Sequence, residues 1–228
     1  MPDPIPFRPR PQTPPEPAPR PPVATVLLSA ALCGVYIWQA GLDAYGDMAV
    51  IHGFALIPAE LFGLRARAVP IDGVPSVATL VTAQFLHGGL MHLIGNVVAV
   101  LLAGILVERK AGAIRLLGVF LLSGIAGLAV EAAAGPGSTA PILGASAGAA
   151  GLMGGVLRLD PRGQIRIPWP GGGRPRLRSF PAVPLIGVWL IAQVAGLAFA
   201  AGEPIAFLAH GTGFVMGALL AGGRSPSA

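Results

Sequence analysis

Long uncharged runs alternate with short charged ones along this chain, and the lengths of the runs predict its elements. After a proline-rich opening that carries Arg8, Arg10 and Arg20, an apolar run covers about 23–42, roughly the twenty residues that a helix needs to cross a bilayer. Tyr36 and Trp38 lie toward its far end, where an interfacial aromatic belt is expected. Residues 43–78 then mix Asp43, Asp47, Glu60, Arg65, Arg67 and Asp72 with Ile, Leu, Phe and Ala. That mixture predicts a loop lying partly in the interface on short amphipathic helices. From 73 to 107 no Asp, Glu, Lys or Arg occurs, and the run is too long for one upright helix. Gly88-Gly89 is its natural break, so 89–107 is predicted to span and 74–87 to lead into it. Further spans are predicted at about 113–133, 141–157, 181–201 and 204–221. They are separated by the Glu108, Arg109, Lys110, Arg115 patch, by Gly135-Pro136-Gly137, and by a Pro/Gly loop at 158–180 carrying Arg158, Arg162, Arg166, Arg174, Arg176 and Arg178.

Composition agrees with that count. Of the 228 residues 54% are hydrophobic and 11% charged, and the mean hydropathy is +0.72, beyond the range of an ordinary soluble domain. The fold expected is an all-α membrane protein, a six-transmembrane-helix bundle over 23–222. Residues 1–22 form a disordered proline-rich tail in this reading, since they have little apolar surface to offset their ordering entropy, and 223–228 form a short C-terminal tail. The first apolar run starts late and is long enough to span, which suits an uncleaved helix better than a signal peptide. With the N-terminus inside, every Lys and Arg except Arg65 and Arg67 falls on the inner side, so both termini are expected to be cytoplasmic. The net charge of +5 therefore reflects topology, and no nucleic-acid partner is expected; the expected partners are the lipid bilayer and transmembrane protein substrates. The one cysteine, Cys33, lies inside the first apolar run and reads as a small hydrophobe.

Three of the apolar stretches carry polar side chains. Ser146 sits in PILGASAGAAGLMGGVL at 141–157, His92 and Asn96 in HGGLMHLIGN at 87–96, and His210 in AHGTGFVMG at 209–217. In the predicted topology the second, fourth and sixth spans all enter from the outer face. Ser146 lies five residues beyond Pro141 and His210 seven beyond Glu203, which places each ~8–10 Å below the surface at 1.5 Å per residue. His92 and Asn96 share a helix face by their i,i+4 spacing. Polar groups held in hydrocarbon usually face the bundle interior and mark function. Each also has a plainer reading: serine aids close packing or bonds its own helix, and histidine and asparagine act as interhelical glue. Gly148, Gly151, Gly154 and Gly155, with Gly213 and Gly217, read as small-residue packing between the fourth and sixth helices. His52 and His87 read as interfacial residues.

Missing residues narrow the chemistry. An aspartyl protease in the membrane needs two buried aspartates, and no predicted span holds one. A zinc protease needs H-E-x-x-H, whereas no Glu lies between His87 and His92. Glu131 and Glu203 fall near span ends, within reach of water, which does not suit an ion-coupled transporter. A serine nucleophile activated by histidine, without an acidic third member, is what remains. No metal and no cofactor is expected.

Three motifs in order carry a resemblance: H-x-x-x-x-H-x-x-x-N as His87, His92 and Asn96; G-x-S as Gly144, Ala145 and Ser146, followed by Gly151 and Gly154; and A-H-x-x-G-x-x-x-G as Ala209, His210, Gly213 and Gly217. With IPAEL at 57–61 and VERK at 107–110, the chain resembles the bacterial rhomboid intramembrane serine proteases over about 23–222. The resemblance implies a Ser146–His210 dyad and an oxyanion hole lined by His92, the Asn96 amide and the Ser146 backbone N–H. It also implies an endopeptidase that cuts transmembrane substrates near their outer end, in a bacterial inner membrane. Ala147 stands where the family commonly has glycine, and Ala150 where it often has an aromatic packed on the catalytic histidine. The alternative is a non-catalytic rhomboid-like chaperone or trafficking factor that binds transmembrane helices.

Overall fold

The computed structural model describes residues 21–67, 72–169, 176–199 and 207–222. The expected proline-rich tail, up to residue 20, and the C-terminal tail lie outside the described residues, as does Glu203. Nine helices and one hairpin are described: α1 (Val23–Ala40), α2 (Ala44–Phe54), α3 (Pro58–Leu61), α4 (Thr79–Thr82), α5 (Leu90–Ala111), α6 (Ala113–Ala134), α7 (Ser146–Leu159), β1 (Gln164–Trp169), β2 (Arg176–Pro181), α8 (Ala182–Phe199) and α9 (Phe207–Ala221).

Among the described residues three helices, α1, α5 and α6, are long and apolar enough to cross a membrane. With 14 residues α7 is shorter, and the described part of α9 has 15. The predicted fourth span began at Pro141, but the helix begins at Ser146. Residues before it are held extended: Leu56 and Ile142 exchange backbone hydrogen bonds of 3.0 and 2.7 Å, and Gly144 N–H donates to the Ala83 carbonyl at 2.8 Å. Gly144 has φ +119, a conformation open to glycine and poorly compatible with a continuing helix. Counting helical rise from Pro141 therefore does not give the depth of Ser146.

The loop predicted on short amphipathic helices contains α2 and α3. Asp43 caps α2 by accepting from Gly46 N–H at 2.7 Å, as an N-cap aspartate should. The approach to α5 is a string of short turns around α4, flanked by single 3₁₀ turns at Ser76–Ala78 and Ala83–Phe85. The basic 158–180 loop holds an antiparallel hairpin that the proline and glycine content concealed, with Gln164 opposite Pro181 and Trp169 opposite Arg176.

Phe120, Leu116, Leu152, Val100 and Val156 are fully buried in the main core where α5, α6 and α7 meet. The helices are tied by carboxylates as well as by packing. No side chain of its own segment caps α1; instead Glu108, near the end of α5, accepts from Ala24 N–H at 2.9 Å, Thr25 N–H at 2.7 Å and the Thr25 hydroxyl at 2.6 Å.

Candidate active site

Glycines decide how closely the site-bearing helices approach. A Cβ at Gly217 would overlap the backbone of Gly151, one at Gly213 would overlap the Ala147 carbonyl, and one at Gly154 would overlap the Phe214 carbonyl. Positions 147 and 151 of α7 therefore pair with 213 and 217 of α9, and the two helices run parallel with their backbones in contact. On their other side α6 runs antiparallel. A Cβ at Gly148 would meet the Phe120 ring at 2.7 Å, and one at Gly127 would meet Ala147 Cβ at 2.9 Å and the Ala209 carbonyl at 2.5 Å. This register puts Ser146 and His210 at similar levels of two parallel helices, His210 one turn before Gly213 and Ser146 one residue before Ala147.

Ser146 is the first residue of α7, and no side chain caps that helix. The first N–H groups of a helix lack intrahelical acceptors, and the macrodipole makes that end attractive to negative charge. A half-buried hydroxyl thus stands at a terminus suited to an oxyanion.

His92 and Asn96 face the same corner. A Cβ on Gly144 would lie 2.7 Å from His92 Cε1 and Nε2 and 3.8 Å from Asn96 Nδ2. Glycine at 144 is therefore required twice, by its positive φ and by the imidazole beside it. Asn96 is 5% exposed, and its amide donates to the His92 carbonyl at 3.0 Å, the bond within its own helix expected at i−4. A second N–H on that amide remains.

His210 is buried, and its Nδ1 has no hydrogen-bond partner among the described residues. Aromatic rings hold it: Trp189 of α8 at 5.8 Å between centroids and Phe207 of its own helix at 6.5 Å. Sequence reading noted the small residue at Ala150 but missed Trp189, because α8 comes near His210 only in the fold. Trp189 also lines an apolar groove between α5 and α8, with Gly95, Val98, Leu102, Met153 and Leu185. No hydrogen bond joins Ser146 to His210 among the described residues; such bonds are often long in a site without substrate and tighten in the complex.

His87, read from the sequence as interfacial, lies inside the protein. It is fully buried, neither ring nitrogen has a partner among the described residues, and the ring packs edge-on against His92 at 5.2 Å. The segment is pinned by Gln39 of α1, whose amide donates to the His87 carbonyl at 3.1 Å and accepts from its N–H at 3.4 Å. Gln39 also donates to Asp47 at 2.8 Å. His52 is half-buried with Nδ1 2.9 Å from the Met48 carbonyl. Glu131, read from the sequence as a water-reached residue near a span end, is half-buried, and its carboxylate accepts from Ala209 N–H at 2.9 Å.

Sequence comparisons show which family the chain belongs to. Two curated Arabidopsis thaliana proteins align over 78 residues, or 34% of this chain: RHOMBOID-like protein 6, mitochondrial, at 38% identity and RHOMBOID-like protein 4 at 37%. The alignments cover 25% and 19% of those relatives, so the chain spans a small part of their length. The profile of the Rhomboid domain matches residues 75–226, a stretch that begins just ahead of α4 and takes in His92, Asn96, Ser146 and His210. The chain is an integral membrane protein of the rhomboid family.

Proposed function

We propose that the chain is an intramembrane serine endopeptidase that cleaves transmembrane protein substrates near the outer membrane face. Ser146 Oγ attacks the scissile carbonyl carbon, and His210 takes its proton and returns it to the leaving amine. The Ser146 N–H, the Asn96 amide and His92 face the oxyanion. Water then attacks the acyl-enzyme, with His210 again acting as base and then acid.

One observation carries this reading: the serine opens an uncapped helix whose preceding glycine lies directly against His92 and within reach of Asn96. A serine used only for packing has no need of an orphaned helix terminus ringed by donors. Two further features support it. The apolar α5–α8 groove reaches Trp189, which touches His210, and gives a substrate helix a route from the lipid. A second pocket, lined in part by Gln39, Asp43, Asp47 and His87, lies beside the ring that packs on His92 and is the side from which this reading brings water. In this proposal the chain crosses a bacterial cell membrane six times, with both termini cytoplasmic.

The test is cleavage of a model transmembrane substrate in liposomes, with Ser146→Ala and His210→Ala alongside. Both variants should be inactive while keeping the wild-type melting temperature; undiminished cleavage by either removes the dyad. A fluorophosphonate probe separates this from a chaperone role that only binds helices, because a binding module has no reason to activate Ser146.

A further inference from the structure

We propose that Glu131 is a positioning residue for His210: its carboxylate, carried on α6, anchors the α9 backbone at Ala209 and so fixes how the imidazole is presented to Ser146. The inference rests on the protease reading for its catalytic part.

Glu131 is the one acidic residue of α6, half-buried in a helix whose only other charge is Arg115, sixteen residues earlier. Its Oε2 accepts from Ala209 N–H at 2.9 Å. Ala209 immediately precedes His210 on α9, so the bond holds the backbone at the residue next to the imidazole. One turn back on α6, Gly127 lets that helix press on both the Ala209 carbonyl and Ala147. Glu131 thus stands just above the point where α6, α7 and α9 touch, bonded to the residue next to the imidazole and one helix away from the serine.

Glu108 offers an internal comparison. It ties the start of α1 to α5 by the same device, but α1 carries none of the four residues placed at the site. If both carboxylates were simply staples, removing either would lower stability alone. If Glu131 positions His210, its removal lowers turnover as well.

The experiment uses the full chain in detergent and in liposomes, with Glu131→Ala, Glu131→Asp, Glu131→Gln and Glu108→Ala. It reads kcat, KM, the fluorophosphonate labelling rate, melting temperature and hydrogen exchange of the 207–212 segment. A hydrogen bond to a charged group is worth a factor of about ten or more. Glu131→Ala should therefore speed exchange at 207–212 and lower kcat and labelling by about tenfold or more, with KM within about twofold. Glu131→Gln keeps an acceptor at the same reach and should restore kcat and protection to within about threefold. Glu131→Asp, one methylene short, should fold and fall with Ala, which keeps the test decisive if the Ala variant is unstable. Glu108→Ala should lower the melting temperature and leave kcat within about twofold. Wild-type kcat in Glu131→Ala or Glu131→Asp, or a loss that appears only in KM, overturns the proposal. If the wild-type chain neither cleaves nor labels, the protease reading fails by itself; unchanged exchange at 207–212 would then independently refute the anchoring.

Discussion

Gly217→Ala tests whether backbone contact between α7 and α9 sets the geometry of the site. The added methyl would be driven into the carbonyl, Cα and carbonyl carbon of Gly151. Carbon atoms rest about 3.5–4.0 Å apart, so relief requires α9 to retreat from α7 by on the order of 1 Å. Overpacking against side chains costs about 1–3 kcal/mol, and here the obstacle is backbone, which cannot rotate away. The gain in helix propensity offsets about 1 kcal/mol of this. A net loss of about 2 kcal/mol is expected, and it should be accompanied by a larger functional loss: a misplacement of about 1 Å between reacting groups costs about 10²-fold. Gly118→Ala is the matched control, since a Cβ there meets nothing within 4 Å; it should be neutral or stabilising by about 0.5–1 kcal/mol. The assay is thermal unfolding in detergent together with cleavage in liposomes. Should Gly217→Ala melt and cleave like Gly118→Ala, the close approach of α7 and α9 is not what aligns Ser146 with His210.

Three other substitutions probe separate links. Glu108→Ala removes the acceptor of three hydrogen bonds at the start of α1 and should cost about 2–4 kcal/mol, discounted from about 1.5–3 kcal/mol per charged bond because water reaches that end; a melting temperature equal to wild type would contradict this. Asn96→Ala should lower kcat by about 10²–10³-fold with little change in KM, the usual effect of losing one oxyanion donor, and a purely KM effect would move Asn96 out of the oxyanion hole. Trp189→Ala removes the ring 5.8 Å from His210; an aromatic pair is worth about 0.5–1.5 kcal/mol, so turnover should fall by about 2–10-fold, and full activity would show that the imidazole is held without it.

The order of apolar runs and the place of the polar residues within them were legible in the sequence, because a bilayer tolerates charge only at its edges. Helix boundaries were less legible where tertiary contacts override hydropathy. Residues 141–145 are as apolar as the helix that follows, yet their backbone groups pair with Leu56 and Ala83, partners far away in sequence. The hairpin at 164–181 was hidden for a related reason: its strands are partnered with each other, and a Pro/Gly-rich composition does not record pairing.

The four candidate residues of the proposed site could be nominated from the chain alone, since serine, histidine and asparagine in hydrocarbon demand an explanation. What surrounds them could not. Gln39 bonded to the His87 backbone, Trp189 on His210, and Glu131 on the Ala209 N–H come from segments 21 to 78 residues away. Spacing along one helix reports neighbours on that helix, and contact between helices depends on register and separation. The glycine pattern suggested that α7 and α9 lie close; only the tertiary structure decided that 147 meets 213 and 151 meets 217, because backbone contact admits one register and the sequence is compatible with several.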